Sequence, residues 1–197
     1  KIVIVTELLI SYVEKEPNFS QESQHLGFIS NLQGVSIGKN CIFMGIPYIE
    51  INNRSEITIG DNCVFRSSYT SNRIGLNHKV FISTSPLTNE YCSISIGHNC
   101  GFSGTSIDAL KVYIGNNVRC GANTLIIDGD AHFDDDRTTP PSPIRIEDNV
   151  FLGANVVVKK GVSIGKNSVI GMNSVVTYNI PENCIAVGCP CKVIRKI

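Results

Sequence analysis

Apolar residues recur along this chain with two nested periods. A β-branched residue, a spacer and an Ile stand before a short turn six times, ending at Ile37, Ile59, Ile96, Ile114, Ile146 and Ile164. A finer period of six runs through Ile146, Leu152, Val158 and Ile164. This period fits neither an amphipathic helix nor an alternating strand. Three such hexads per coil predict a three-sided, all-β solenoid of parallel strands, with the recurring apolar side chain pointing inward.

The spacing of the six Ile residues predicts where the coils are regular. The gaps between them are 22, 37, 18, 32 and 18 residues. We interpret the second gap as two coils of 18 residues and each other gap as one coil, which leaves insertions of 4, 1, 0, 14 and 0 residues. The longest insertion falls in the stretch from Asp128 to Pro143 and contains His132. This insertion therefore interrupts the repeat and also contains the candidate catalytic histidine.

Turn residues and the limits of the repeat predict the organisation of the chain. Gly and Asn stand at the expected turns, as in Gly165-Lys166-Asn167, because they adopt backbone conformations that other residues resist. We assign 34–181 to the solenoid with an inserted loop at 132–145, and 182–197 to a closing segment. Residues 1–33 form a lead-in, where a short helix would cap the apolar end of the first coil.

The cysteine positions favour a structural role. Cys41, Cys63 and Cys100 occupy one slot of the repeat, which holds Val118 and Val150 in other coils. Free Cys often behaves as a small buried hydrophobic residue. Because no pair of cysteines has the spacing of a zinc site, we predict no metal centre.

Charge and hydropathy narrow the possible partners. Seventeen basic and seventeen acidic residues cancel, and no long run of Lys or Arg occurs. This balance argues against nucleic acid or an anionic membrane as the partner and favours a small molecule. The apolar stretch at residues 1–10 is interrupted by Glu7 and lacks a cleavage site, so we expect a soluble, cytoplasmic protein.

His132 is the candidate for catalysis. It stands one hexad beyond Ile126, where the period requires an apolar residue, and at a point where the chain leaves the prism. Histidine suits the removal of a proton from an alcohol near neutral pH, because neutral imidazole is available to accept it. Asp128 or Asp130 could orient the ring and stabilise the imidazolium, and the sequence leaves the choice open.

The repeat, the stretch 164–171 and the closing segment 186–195 resemble the hexapeptide-repeat acyltransferases over roughly residues 34 to 197. The resemblance implies a left-handed parallel β-helix, although ordinary parallel crossovers are right-handed and the period itself does not reveal the hand. It implies an acetyl-CoA-dependent O-acetyltransferase with His132 as general base. The acceptor hydroxyl would attack the thioester carbonyl directly, and a backbone N–H would stabilise the oxyanion.

The same resemblance implies further site residues. Ala154 matches the position that offers the oxyanion N–H, and Gly153 permits close approach of the backbone. Coenzyme A binding would involve Gly153, Ala154, Met172, Thr177, Tyr178, Lys192 and Arg195. Tyr178 and Phe151 depart from the family, because relatives often carry Lys and Trp there. Ser103 and Asp108 would contact the acceptor.

The resemblance also implies the acceptor class and the assembly. The acceptor would be a sugar, or a nucleotide-linked or lipid-linked saccharide, used in cell-surface polysaccharide synthesis. A homotrimer would place His132 of one subunit against the coils of the next. N-acetylation of an amino sugar is an alternative, whereas serine acetylation is disfavoured because the long amino-terminal helical region of such enzymes is missing.

Two alternatives belong to other classes. A carbonic anhydrase would need His78, His98 and His132 to converge on one metal ion. A non-enzymatic solenoid would display a ladder of like residues on one face, and the sequence contains no such ladder.

Overall fold

The computed structural model describes residues 3–4, 33–52, 54–84, 90–130, 132 and 135–197. Regular structure in these residues consists of β-strands and one 3₁₀ turn, Tyr69–Ser71. The strands are β1 (Val3–Ile4), β2 (Val35–Ile37), β3 (Ile42–Met44), β4 (Tyr48–Ile51), β5 (Glu56–Ile59), β6 (Val64–Arg66), β7 (Phe81–Ser83), β8 (Ser93–Ile96), β9 (Gly101–Ser103), β10 (Ser106–Asp108), β11 (Lys111–Ile114), β12 (Arg119–Cys120), β13 (Leu125–Ile127), β14 (Ile144–Ile146), β15 (Phe151–Leu152), β16 (Val157–Val158), β17 (Ser163–Ile164), β18 (Val169–Ile170), β19 (Val175–Val176), β20 (Cys184–Val187) and β21 (Lys192–Lys196).

The strands form three sheets, and each coil adds one strand to each sheet. Sheet A has the order β1-β4-β7-β10-β13-β16-β19, sheet B runs β17-β14-β11-β8-β5-β2, and sheet C runs β21-β20-β18-β15-β12-β9-β6-β3. Pairing is parallel except for β1 with β4 and β20 with β21. The three-sided solenoid predicted from the hexads is therefore confirmed.

The inside of the prism is filled with the apolar side chains of the hexads. Ile57, Ile94 and Ile114, which lie in consecutive strands of sheet B, are completely buried. In sheet C the rings of Phe43 and Phe65 stack with centroids 4.8 Å apart. Removal of this apolar surface from water provides the main stabilisation of the coils.

The cysteine slot lies inside the prism, as predicted. Cys41, Cys63 and Cys100 are buried and unpaired. The Sγ of Cys63 also donates to the carbonyl oxygen of Gly97 in the next coil, over 3.2 Å. The thiol thus fills the corner and satisfies a neighbouring backbone group.

We name each edge of the prism by the two sheets that it joins in chain order. The B–C edge contains turns such as Gly115–Asn117, the C–A edge contains turns such as Gly121–Asn123, and the A–B edge follows β10, β13, β16 and β19. Asn117 and Asn123 have positive φ angles of 58° and 60°. Asn tolerates this conformation better than most residues, which explains its recurrence at both edges.

The interpretation of the 37-residue gap as two coils is wrong. Ile59 in β5 pairs directly with Ile96 in β8, so residues 60–96 form a single coil. The additional residues form an excursion at the C–A edge (67–80) and further chain at the A–B edge between β7 and β8. An excursion at an edge changes the residue count but leaves the pairing of the strands on either side intact.

The long insertion leaves the prism at the A–B edge, between Ile127 and Ile144. Strand β14 begins at Ile144, so the last two residues of the predicted loop, 144 and 145, belong to the strand. The helix expected in residues 1–33 lies outside the described residues, although Val3 and Ile4 pair with β4. Within the described part of the chain, no helix has the length and hydropathy needed to cross a membrane.

Candidate active site

Ala154 lies on the C–A edge, between Ala122 of the preceding coil and Met172 of the following coil. Gly153 allows these coils to stack closely. A Cβ atom at position 153 would lie 2.6 Å from the backbone nitrogen of Met172, which is too close for a non-bonded contact. Gly153 is thus required by packing between coils, whatever its role toward a ligand.

Backbone carbonyl groups along this edge join neighbouring coils. The carbonyl of Ala122 accepts a hydrogen bond from the N–H of Asn155 over 2.8 Å, and the carbonyl of Ala154 accepts one from Asn173 over 2.9 Å. Among the described residues, no acceptor lies in hydrogen-bond geometry to the N–H of Ala122, Ala154 or Met172. These donors are available to a bound molecule.

His132 lies in the excursion between Ile127 and Ile144 at the A–B edge, and it is exposed to solvent. Its carbonyl oxygen accepts hydrogen bonds from the Asp135 N–H over 3.2 Å and from the Thr138 hydroxyl over 2.9 Å. Arg137 forms an ion pair with Asp135 over 2.6 Å. Hydrogen bonding from Arg137 lowers the pKa of Asp135 to about 2, so this carboxylate is ionised.

The structure gives Asp128 a backbone-capping role. Its Oδ2 accepts the N–H groups of Leu110 and Lys111, over 2.9 and 2.6 Å. The side chain is buried, and burial raises its pKa against the opposing effect of these two hydrogen bonds.

Asp130 contacts cations. Its carboxylate binds Lys160, and its second oxygen lies 3.3 Å from the Nζ of Lys159. The hydrogen bond from Lys160 lowers the pKa of Asp130. For both aspartates, the hydrogen bonds within the described residues connect to groups other than the His132 imidazole.

The predicted coenzyme A residues lie on two different edges. Met172 is 68% exposed on the C–A edge, and Lys192 pairs with Val187 near the same edge one coil later. Arg195 pairs with Ile185, further along sheet C. Thr177 and Tyr178 follow β19 and therefore lie on the A–B edge. A single chain does not bring these two groups together.

The two predicted acceptor residues are also separated. Ser103 is buried at the end of β9, directly before the C–A edge. Asp108 is half-buried at the other end of the next strand, where it pairs with Ser83 and Ile127 in sheet A. The length of β10 therefore separates the two residues.

The three histidines of the carbonic anhydrase alternative lie on three different edges. His78 is in the excursion at the C–A edge, His98 is in a B–C turn and His132 is at the A–B edge. The Nδ1 of His98 accepts the N–H of Asp61 over 2.9 Å, which is a structural contact. One chain therefore does not assemble these histidines, and no group of three metal-binding side chains occurs in the described ranges.

Two features near the site were missed from the sequence. The first is the pair Lys159 and Lys160. Lys160 follows Asp128 by 32 residues, which is the length of the coil that contains the insertion. This register could have placed Lys160 in the coil next to the base of the insertion. The second is the 67–80 excursion, whose Asn77 N–H donates to the Oδ1 of Asn123 over 2.9 Å. It carries no hexad pattern and leaves no comparable signal.

Comparison with known proteins extends this description. A family model described as the hexapeptide repeat of succinyl-transferase matches residues 143–178. The fold is similar to that of the polysialic acid O-acetyltransferase OatWY, with a TM-score of 0.64, 21% identity, and coverage of 82% of this chain and 74% of that one. The chain is therefore similar to the hexapeptide-repeat acyltransferases in the repeat of residues 143–178 and in fold. Its fold is the left-handed parallel β-helix, as the resemblance implied.

Curated relatives of this hexapeptide-repeat chain include two galactoside O-acetyltransferases. That of Lactococcus lactis is 38% identical over 113 residues, covering 51% of each chain. That of Escherichia coli is 43% identical over 111 residues, covering 53% of this chain and 55% of the relative. The chain thus spans about half the length of the curated relatives that it matches.

Proposed function

We propose that this protein transfers an acetyl group from acetyl-CoA to a hydroxyl of a sugar or saccharide precursor, as an O-acetyltransferase. The observation that carries this proposal is the row of available N–H groups at Ala122, Ala154 and Met172. The names of the galactoside O-acetyltransferases and of OatWY support a saccharide acceptor.

The residues of the site suit the groups of a thioester substrate. Ala154 N–H would stabilise the negative charge that develops on the carbonyl oxygen. Met172 would contact the pantetheine arm, and Lys192 would contact phosphate as a positive charge. Acetyl-CoA supplies the activated acyl group and a thiolate leaving group.

His132 would act as the general base of this reaction. Its imidazole would accept the proton of the acceptor hydroxyl as the oxygen attacks the carbonyl carbon. The proton would then pass to the departing sulfur. The exposure of His132 on the A–B edge supports a role outside its own prism.

The two halves of this site lie on opposite edges of sheet A, His132 on the A–B edge and Ala154 on the C–A edge. We therefore propose a homotrimer in which the A–B edge of one subunit faces the C–A edge of the next. The same arrangement would join Thr177 and Tyr178 to Met172 and Lys192.

The outer face of sheet A supports this assembly. Its outward positions carry a nearly continuous, partly exposed apolar row across neighbouring strands: Tyr48, Phe81, Leu125, Val157 and Val175. Such a row suits burial against other subunits, and closed threefold symmetry would bury it in all of them.

Thiol release from acetyl-CoA, measured against a panel of galactosides, other oligosaccharides and amino sugars, tests the activity. His132→Ala is expected to lower turnover by at least about 100-fold, because it removes the base. His98→Ala on the B–C edge is the matched control, and thermal melting verifies folding. Turnover that survives His132→Ala would place the base elsewhere, and acetylation of amines alone would favour N-acetyl transfer.

Mixing two inactive variants tests the composite site. Subunits with His132→Ala retain an intact C–A edge, whereas subunits with Met172→Asp retain His132. In mixed trimers about a quarter of the sites would combine two intact halves and recover activity. Sedimentation that shows only monomer at micromolar concentration would contradict the trimer.

A further inference from the structure

The excursion that carries His132 is closed at its base by backbone hydrogen bonds. Ser142 donates its N–H to the carbonyl of Asp128 over 2.8 Å, and Gly161 of the next coil donates to the carbonyl of Ser142 over 2.9 Å. The outgoing and returning parts of the excursion therefore lie side by side where they meet the prism.

Lys160 connects the same two parts further out. Its Nζ donates to the carboxylate of Asp130 on the outgoing part and to the carbonyl oxygen of Thr139 on the returning part, over 2.8 Å to the latter. The Lys160 side chain is only 17% exposed, compared with 37% for Lys159. Replacement of this partly buried ammonium would leave the Thr139 carbonyl without its donor and would leave Asp130 with Lys159 alone.

His132 lies between the two points that Lys160 holds. Asp130 precedes it by two residues. On the other side, the His132 carbonyl accepts the hydroxyl of Thr138, which is bonded to Thr139. A displacement of Lys160 would therefore change the backbone position of His132 from both directions.

We propose that Lys160 is a positioning residue, which fixes the His132 backbone through Asp130 and Thr139. The inference rests on the proposed function of His132 as the base. It reassigns Asp130 from orienting the imidazole to anchoring the chain that carries it. Lys160 itself takes no proton and touches no reacting atom in this role.

Lys160→Met tests the proposal, because it keeps the length of the aliphatic chain and removes the donors. Turnover is expected to fall about 10- to 100-fold, since a shift of about 1 Å in a reacting group has an effect of that size. The KM for acetyl-CoA and the melting temperature should stay near those of wild type. Lys160→Arg should restore much of the turnover, and Lys166→Met, an exposed lysine on the B–C edge, is the control.

The order of the excursion is measured separately by limited trypsin digestion. Arg137 is exposed within the excursion, so cleavage after it reports opening of this segment. Lys160→Met should accelerate this cleavage several-fold, whereas Lys166→Met should not. Asp130→Asn should accelerate it as well, and the double variant should add little, because both residues belong to one contact.

The outcomes separate this inference from the proposed function. If wild type acetylates no acceptor, the proposed function fails, while faster cleavage in Lys160→Met still supports the anchor. Faster cleavage with unchanged turnover would overturn the positioning role. Unchanged cleavage and unchanged turnover would overturn the anchor as well.

Discussion

The B–C edge and the C–A edge use the same stacking geometry but treat their outward amides differently. At successive turns of the B–C edge from Asp61 to Asp148, the side chain of the following coil accepts the N–H of the coil before it. Asp61 N–H donates to His98 over 2.9 Å, His98 N–H to Asn116 over 2.8 Å, and Asn116 N–H to Asp148 over 2.6 Å. The corresponding positions on the C–A edge are Ala154 and Met172, which offer no strong acceptor.

The comparison indicates that the B–C edge closes these hydrogen bonds internally between Asp61 and Asp148, whereas the described residues of the C–A edge leave the N–H groups of Ala154 and Met172 unpaired. An unpaired backbone N–H is unfavourable unless water or another molecule accepts from it. Both edges have Asn in the positive-φ position, for example Asn149 and Asn155, so the backbone turn is the same. The side chain at the middle of the turn is therefore the difference that matters for chemistry.

The largest predicted effect comes from copying the B–C arrangement onto the C–A edge. Met172→Asp places a carboxylate one coil after Ala154, as Asp148 stands one coil after Asn116. We expect the new side chain to accept the Ala154 N–H and to lower kcat by about 100- to 1,000-fold, the effect of losing an oxyanion donor. Steady-state thiol release measures the loss.

Met172→Leu is the control for this variant, because it removes the thioether without adding an acceptor. The difference between the two variants isolates the effect of occupying the amide. Equal activity in both would show that the Ala154 N–H takes no part in the reaction.

A smaller effect should be common to both edges. Gly153→Ala on the C–A edge and Gly97→Ala on the B–C edge would each place a Cβ too close to the next coil, 2.6 Å from Met172 N and 2.7 Å from Gly115 C. We expect each to lower the free energy of unfolding by about 1 to 3 kcal/mol. Urea denaturation measures both, and a neutral result at either position would mean that the coils separate there at little cost.

The smallest effect concerns the A–B edge, where Asp128 also closes backbone amides. Burial holds the pKa of Asp128 above its value of about 3.9 in an unfolded chain. Between these two pKa values the folded state therefore binds more protons than the unfolded state. The contribution of Asp128 to the free energy of unfolding falls as pH rises through this window.

Asp128→Asn should remove that part of the pH dependence while keeping one acceptor oxygen for Leu110 and Lys111. Denaturation series from about pH 4 to pH 7 would measure it. A pH profile identical to that of wild type would mean that Asp128 does not titrate in this window.

The repeat predicted the three sheets because each inward residue is decided by local periodicity. It could not predict that residues 60–96 form one coil, because an excursion of suitable length imitates an extra turn. Ile74-Gly75-Leu76-Asn77 even has the letters of the repeat turn, yet Ile74 is 71% exposed in the excursion. Only the pairing of β5 with β8 distinguishes the two possibilities.

At the site, the sequence located the excursion that carries His132, between Ile127 and Ile144, and the turn residues of the C–A edge. It could not assign Asp128 and Asp130, because proximity in the chain to His132 says nothing about which groups face them. Their partners come from other coils: Leu110 and Lys111 for Asp128, and Lys160 for Asp130. Contacts between coils depend on register, which a single insertion shifts.

The strand β21 limits how the molecule can grow. A stack of parallel coils ends in an open strand edge, on which a second molecule could add and start a fibre. Here β21 turns back antiparallel to β20 and is exposed along its whole length, with Lys192, Arg195 and Lys196 among its five residues. Positive charge on a terminal strand repels an identical strand, so sheet C ends in an edge that resists end-to-end polymerisation.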